Sequence, residues 1–166
     1  LKLSIWRFYQ DYGKPDRLII HYYKKKLNKR ESALVERMLS RMKIKCPIYV
    51  INIVSAVNED LIAFDEEHPD RMPLSGTYVH LRQDEYLLYN NERYAKGKKA
   101  DTLYPIKLTI TQGRSNTPAA PLAPLVAKQL ITQVYQFCRL YWKSVKMPRV
   151  PITIAYPEMV AQCVPH

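Results

Sequence analysis

Apolar positions recur along this chain with two periods, and the alternation of those periods predicts the order of elements. Leu1, Ile5, Phe8 and Tyr9 share one helical face with Trp6 beside them, and Gly13 and Pro15 stop that helix. Arg17 to Tyr23 is a β-rich apolar run and predicts a buried strand. Asn28 with Glu31 three residues on reads as a capping box. The helix behind it carries Leu34, Val35, Met38, Leu39 and Met42 on one side and Arg37, Arg41 and Lys43 on the other. Cys46-Pro47 ends it, and Ile48 to Val54 is a second buried strand. Strand, helix, strand over this span predicts a βαβ unit with parallel strands.

The second half changes character. Residues 58–73 are polar and acidic and read as a surface loop. Gly76 to Arg82 alternates, Tyr86 to Tyr89 follows a short turn, and the two predict an antiparallel pair. After a basic loop over residues 90–104, Pro105 to Ile110 alternates again, with Ile106, Leu108 and Ile110 against Lys107 and Thr109. Residues 111–121 are a Gly/Ser/Asn/Pro loop, and Pro121 and Pro124 suit the start of a long helix. Its stripe runs through Val126, Leu130, Val134, Phe137, Tyr141 and Val145, and Pro148 and Pro151 close it. Ile152 to Ile154 predicts a short terminal strand, and Pro157 to Cys163 a last helical turn or two. The whole predicts one α/β domain over residues 1–166, a mixed sheet flanked by helices.

Charge adds a partner to this picture. The 166 residues carry a formal net charge of +11, distributed as +9 over residues 1–50, −3 over 51–100 and +5 over 101–166. Segregated basic charge points to a polyanion, nucleic acid before a membrane surface. No run is long and apolar enough to span a bilayer, so no membrane partner is expected. Cys46, Cys138 and Cys163 form no CxxC pair, which fits a reducing, cytoplasmic setting. The start at Leu1 has no signal-peptide grammar and reads as a cut inside a longer protein.

Candidate chemistry is sparse. Asp65-Glu66-Glu67-His68-Pro69-Asp70 gathers metal-binding side chains, but consecutive acids in a loop diverge, so a solvated loop is expected and no metal. His21, mid-strand, reads as a core residue, and His80 faces solvent or a partner. No carboxylate lies inside any predicted strand. The basic positions are better placed. Lys107 is the polar member of an apolar strand, and Lys143, Lys146 and Arg149 cluster where the long helix ends. Phosphate contact and helix capping weigh evenly for that last group.

Several blocks in order make the chain resemble the second half of the Piwi domain of Argonaute proteins, short prokaryotic Argonautes above all. They are Arg17-Leu18-Ile19-Ile20-His21-Tyr22-Tyr23-Lys24, Met72 to Tyr78, Leu87 to Tyr94, Gln133 to Val145, and Pro151 to Ala161. The resemblance implies an RNase H-like fold that holds a guide strand and its complementary target. It also implies a carboxylate tetrad with a divalent metal such as Mg in active members, two of the four lying upstream of Leu1. Where the third Asp is expected, after the strand, this chain reads Tyr22-Tyr23-Lys24, and Glu158 is the candidate for the fourth. Because a Tyr does not hold the metal, the expectation is a cleavage-silent domain, not an enzyme, with no cofactor in this stretch. Prokaryotic defence with an APAZ-containing effector follows from the same likeness. The alternative is an active metal-dependent, guide-directed endonuclease whose remaining carboxylates lie upstream. The family's guide-phosphate contact falls on Lys143; Arg149 and Thr153 fall near two further guide-backbone positions, and Lys107 lies on the strand whose family equivalent lines the guide channel. Lys146 joins the candidate nucleic-acid contacts by its place at the end of the long helix.

Overall fold

A computed structural model of the chain describes residues 2–23, 28–54, 64–67, 69, 71–91, 105–112, 122–140 and 150–163. In chain order its elements are α1 (Lys2–Tyr12), β1 (Leu18–Tyr23), α2 (Lys29–Arg41), β2 (Ile48–Val54), β3 (Tyr78–Arg82), β4 (Glu85–Leu88), β5 (Ile106–Gln112), α3 (Pro124–Arg139) and α4 (Ile152–Cys163). The capping box forms as the sequence predicts. The Glu31 N–H donates to Asn28 Oδ1 and the Asn28 N–H donates to Glu31 Oε2, both at 2.9 Å.

The strands form one mixed sheet in the order β1-β2-β5-β4-β3. β1 and β2 are parallel, with Leu18 opposite Ile48 and Tyr23 opposite Ile53, and α2 is their crossover. β5 runs antiparallel to both its neighbours, β2 and β4, and β3 pairs with β4 as a hairpin. Period-two alternation then sorts the side chains between faces. One face carries Ile51 and Ile53 of β2, Ile106, Leu108 and Ile110 of β5, and Tyr86 and Leu88 of β4. Leu130, Ile131 and Val134 of α3 and Ile154 of α4 pack onto it. On the opposite face, Ile5 of α1 and Leu39 of α2 join Ile44 over Leu18 and Ile48, covering the β1–β2 end. α/β architecture, the βαβ unit and the hairpin are as expected.

Two local expectations fail. Ile152 to Ile154 is the first turn of a helix, not a strand. The Ile154 and Ala155 N–H groups donate to the Pro151 carbonyl at 2.8 and 3.0 Å, and a proline preset for helical φ outweighs three β-branched residues. Glu85 is a strand residue, so a carboxylate does lie inside the sheet. The two-residue turn at Gln83-Asp84 is tighter than the alternation suggests, and β4 starts one residue early. The later positions of the α3 stripe, Tyr141 and Val145, lie outside the described residues, as do His68 and Asp70 of the acidic loop.

Gly76 ties the hairpin to α3. Its φ is +90°, and a Cβ there would meet the Tyr135 ring at 3.2 Å. Around it, the Gly76 N–H donates to the Tyr89 carbonyl, the Tyr135 hydroxyl to Ser75 Oγ and Ser75 Oγ to the Asn91 carbonyl. Gly76→Ala is expected to destabilise the chain by about 1–2 kcal/mol, from the left-handed backbone and the ring contact together. Urea denaturation of the two proteins measures it, and a loss below about 0.5 kcal/mol would show that the ring shifts freely.

Candidate nucleic-acid interface

Of the five positions proposed for nucleic acid, the structure describes Lys107 and Thr153; Lys143, Lys146 and Arg149 lie outside the described residues, as does Lys24. The two described positions are not brought together. Lys107 alternates with the core residues Ile106 and Leu108 and so projects from the opposite face of β5. Thr153 belongs to α4, which packs on the core face. The sheet itself separates them.

Lys107 sits in a charged cluster. Its Nζ lies 3.3 Å from Glu85 Oε2, and the same oxygen accepts from Arg82 Nε at 2.9 Å. The Arg82 hydrogen bond first, and Lys107 after it, hold the Glu85 carboxyl below the usual carboxylate range despite partial burial. Two cations thus share one carboxylate beside a hollow of about 510 Å³ lined by Arg82, Gln83, Asp84, Glu85 and Thr109. Thr109 stands opposite Asn52 on β2, and Asn52 stands opposite Tyr22 on β1. A polar row therefore crosses the sheet on this face: Tyr22, Asn52, Thr109 and Glu85. Asn52 Oδ1 is buried in that row and accepts no hydrogen bond. Nothing in the local sequence announces the row, because it is built from one residue of each of four strands.

Thr153 and His21 form the second polar contact. His21 Nδ1 and Thr153 Oγ1 share a hydrogen bond at 2.6 Å, and the His21 ring meets Phe137 edge-on with centroids 5.8 Å apart. Burial lowers the His21 pKa to about 4, so the imidazole is neutral at pH 7. His21 is accordingly the half-buried structural residue the sequence predicts, although it borders a groove.

The residues in place of the expected third carboxylate have other partners. The Tyr22 hydroxyl donates to Glu31 Oε1 at 2.8 Å, which ties β1 to the start of α2 and pushes the Tyr22 phenol up. Tyr23 packs against the main core. Glu158 is exposed on α4. Among the described residues no three His, Cys, Asp or Glu side chains come together as metal ligands, so these residues by themselves do not fit a divalent cation. Cys138 is no nucleophile either, because burial in α3 pushes its thiol up to about 12. Among the described residues no helix is long and apolar enough to cross a membrane.

A five-stranded mixed sheet with helices on both faces, one of them crossing between parallel strands, defines a domain of the RNase H-like class. Comparison with solved structures finds the same fold in Argonaute and Piwi proteins. Aquifex aeolicus Argonaute is similar over 98% of this chain and 21% of its own, at 14% identity and a TM-score of 0.61. For Drosophila Piwi the shares are 96% and 22%, at 15% identity and a TM-score of 0.62. For Marinitoga piezophila Argonaute, solved with a 5′-OH guide RNA and target DNA, they are 96% and 22%, at 10% identity and a TM-score of 0.59. The chain thus spans about a fifth of the length of these proteins. No protein-family profile and no curated protein matches the sequence.

This likeness corrects one expectation. The sequence argued for a domain that is not an enzyme, from the missing carboxylate at Tyr22-Tyr23. The fold shared with Argonaute and Piwi proteins along nearly the whole chain removes the basis for that exclusion. The physical reason is that a metal site gathers side chains from several elements, so one position does not decide it. Tyr22 and Tyr23 are accounted for by their contacts with Glu31 and the core, without any statement about cleavage.

Proposed function

We propose that the chain is the C-terminal portion of an Argonaute Piwi domain and helps to hold a guide nucleic acid paired with its target. The observation that carries this reading is the similarity of fold to Argonautes over 96–98% of the chain. The segregated net charge of +11 supports it, since a guide and target present two rows of phosphates. Lys107, Lys143, Lys146, Arg149 and Thr153 are the proposed backbone contacts. The finer assignment, a short prokaryotic Argonaute acting in defence with an APAZ-containing effector, draws its support from the sequence blocks.

Fluorescence anisotropy with labelled single strands and guide–target duplexes over a salt series tests the reading. Lys143→Ala is expected to flatten the log–log salt dependence by about 0.7 for a single strand and 0.9 for a duplex. Lys107→Ala is expected to flatten it less, because Glu85 already neutralises part of that charge. Absence of binding at low salt to RNA and DNA alike would refute the proposal.

One observation favours a second reading, guided cleavage with carboxylates supplied from outside this chain. Glu158 is an exposed acid on α4, the helix that packs beside β1. In the longer protein, Mg- or Mn-dependent cutting of a guide-matched target that Glu158→Ala abolishes would establish it. Cutting that survives the substitution would remove Glu158 from the site.

A further inference from the structure

α2 spends only one of its faces on the fold. Leu39 is buried with Ile5 and Ile44, and Val35, Met38 and Met42 pack around them. At 3.6 residues per turn the line opposite Leu39 runs through Arg30, Leu34, Arg37 and Arg41, all within an arc of about 60°. All four are exposed, Leu34 at 61%. No acid interrupts the line. Glu31 stands to one side and is held by Asn28 and Tyr22, and Glu36 is partly buried on the other side.

The end of the helix carries a second signal. The Lys43 N–H donates to the Ser40 carbonyl at 3.1 Å and the Ile44 N–H to the Leu39 carbonyl at 3.0 Å, the paired bonds of a Schellman motif. Its left-handed position falls on Lys43, at φ +56°, where glycine is the unstrained residue. A strained lysine thus adds an exposed cation beyond the last turn, and exposed Lys45 adds another. Five cations and one exposed leucine make up this surface, in the third of the chain that carries +9 of the net charge. α2 lies on the face of the sheet opposite to α3 and α4, so a strand on the stripe is not the stretch that Thr153 contacts.

We infer that the outer stripe of α2 is a second nucleic-acid contact, which binds the unpaired single strand that flanks the target beyond its pairing with the guide. The inference rests on the guide–target function proposed for the chain. Over about 17 Å the stripe spans roughly five nucleotides at about 3.4 Å each. Guanidinium forks grip phosphates without reading sequence. Leu34 covers a base face, which a single strand exposes and a duplex hides.

The test is fluorescence anisotropy on the full-length protein, with a guide–target duplex that either ends flush or carries an unpaired oligo(U) or oligo(dT) tail of increasing length. The tail is expected to raise affinity. Combined Arg30→Gln, Arg37→Gln and Arg41→Gln should abolish that gain and flatten the log–log salt dependence of the tailed duplex by about 2, leaving the flush duplex unchanged. Lys43→Gly should weaken the tailed duplex about fivefold at 0.1 M salt while raising the urea midpoint, because glycine relaxes the left-handed position. It also keeps the proposal testable if the triple variant does not fold. A gain from the tail that survives in both variants would overturn the proposal. So would a poly-glutamate peptide that displaces the tail as well as a single strand of equal charge, which would assign the stripe to an acidic protein segment. Failure of the flush duplex to bind would refute the guide–target function itself, so the two readings fail by different results.

Discussion

Lowering the pH from 7 to 4 is expected to remove about 3 kcal/mol of stability through His21 alone. The sign follows from proton binding. In the unfolded chain an imidazole titrates near 6.5, whereas burial lowers His21 to about 4 in the fold. Between those values the unfolded state takes up a proton that the folded state refuses, so acid favours unfolding across that window and adds nothing more below it. Glu85 acts in a lower range. Its carboxyl is held below the ordinary value by Arg82 and Lys107, and the stability it lends is lost as pH falls through its folded pKa. Urea denaturation at pH 7, 5.5 and 4.5 separates the two when His21→Gln is compared with the parent. Gln keeps a polar partner for Thr153 but does not titrate. An equally steep loss in both proteins would show that His21 is protonated in the fold.

Leu108→Ala is expected to cost about 3–4 kcal/mol, a large share of the stability of a domain this size. Leu108 has no exposed surface and stands directly opposite Ile53 on β2 and Tyr86 on β4. It belongs to the core cluster over which Leu130 and Val134 of α3 close. Removing three carbons there opens a cavity walled by two strands and a helix, which have little room to collapse. Leu125→Ala is the control. Leu125 is 76% exposed at the first turn of α3, so its loss should stay within about 0.5 kcal/mol. Denaturant midpoints at constant m-value give both numbers, and a Leu108→Ala loss below about 1.5 kcal/mol would mean that the core relaxes into the space.

The elements that the sequence predicts best are those whose neighbours in space are neighbours in the chain. β1, α2 and β2 follow from two apolar runs and one capping box, and β3–β4 from alternation around a tight turn. Ile152 to Ile154 misleads because three β-branched residues are too short a pattern to weigh against the proline before them. The candidate interface was less legible for a different reason. That Lys107 is apolar strand 5's polar member is visible locally, but that Glu85 lies against it depends on the register of β5 with β4, set by a pairing across an intervening loop. Likewise, Lys107 and Thr153 are both polar positions in apolar surroundings, and only the packing of α4 shows that a sheet stands between them. The resemblance to Argonaute supplied the fold class, while the side-chain partners of Tyr22, Asn52 and Lys107 came from the structure.

The position of β5 between β2 and β4 has a kinetic consequence. The β1–α2–β2 unit and the β3–β4 hairpin each close over short stretches of chain, so each has a low loop-closure entropy. Neither touches the other within the sheet until β5 arrives and bonds to both. The pairing of β5 with both neighbours is therefore expected to be the late event in forming the sheet.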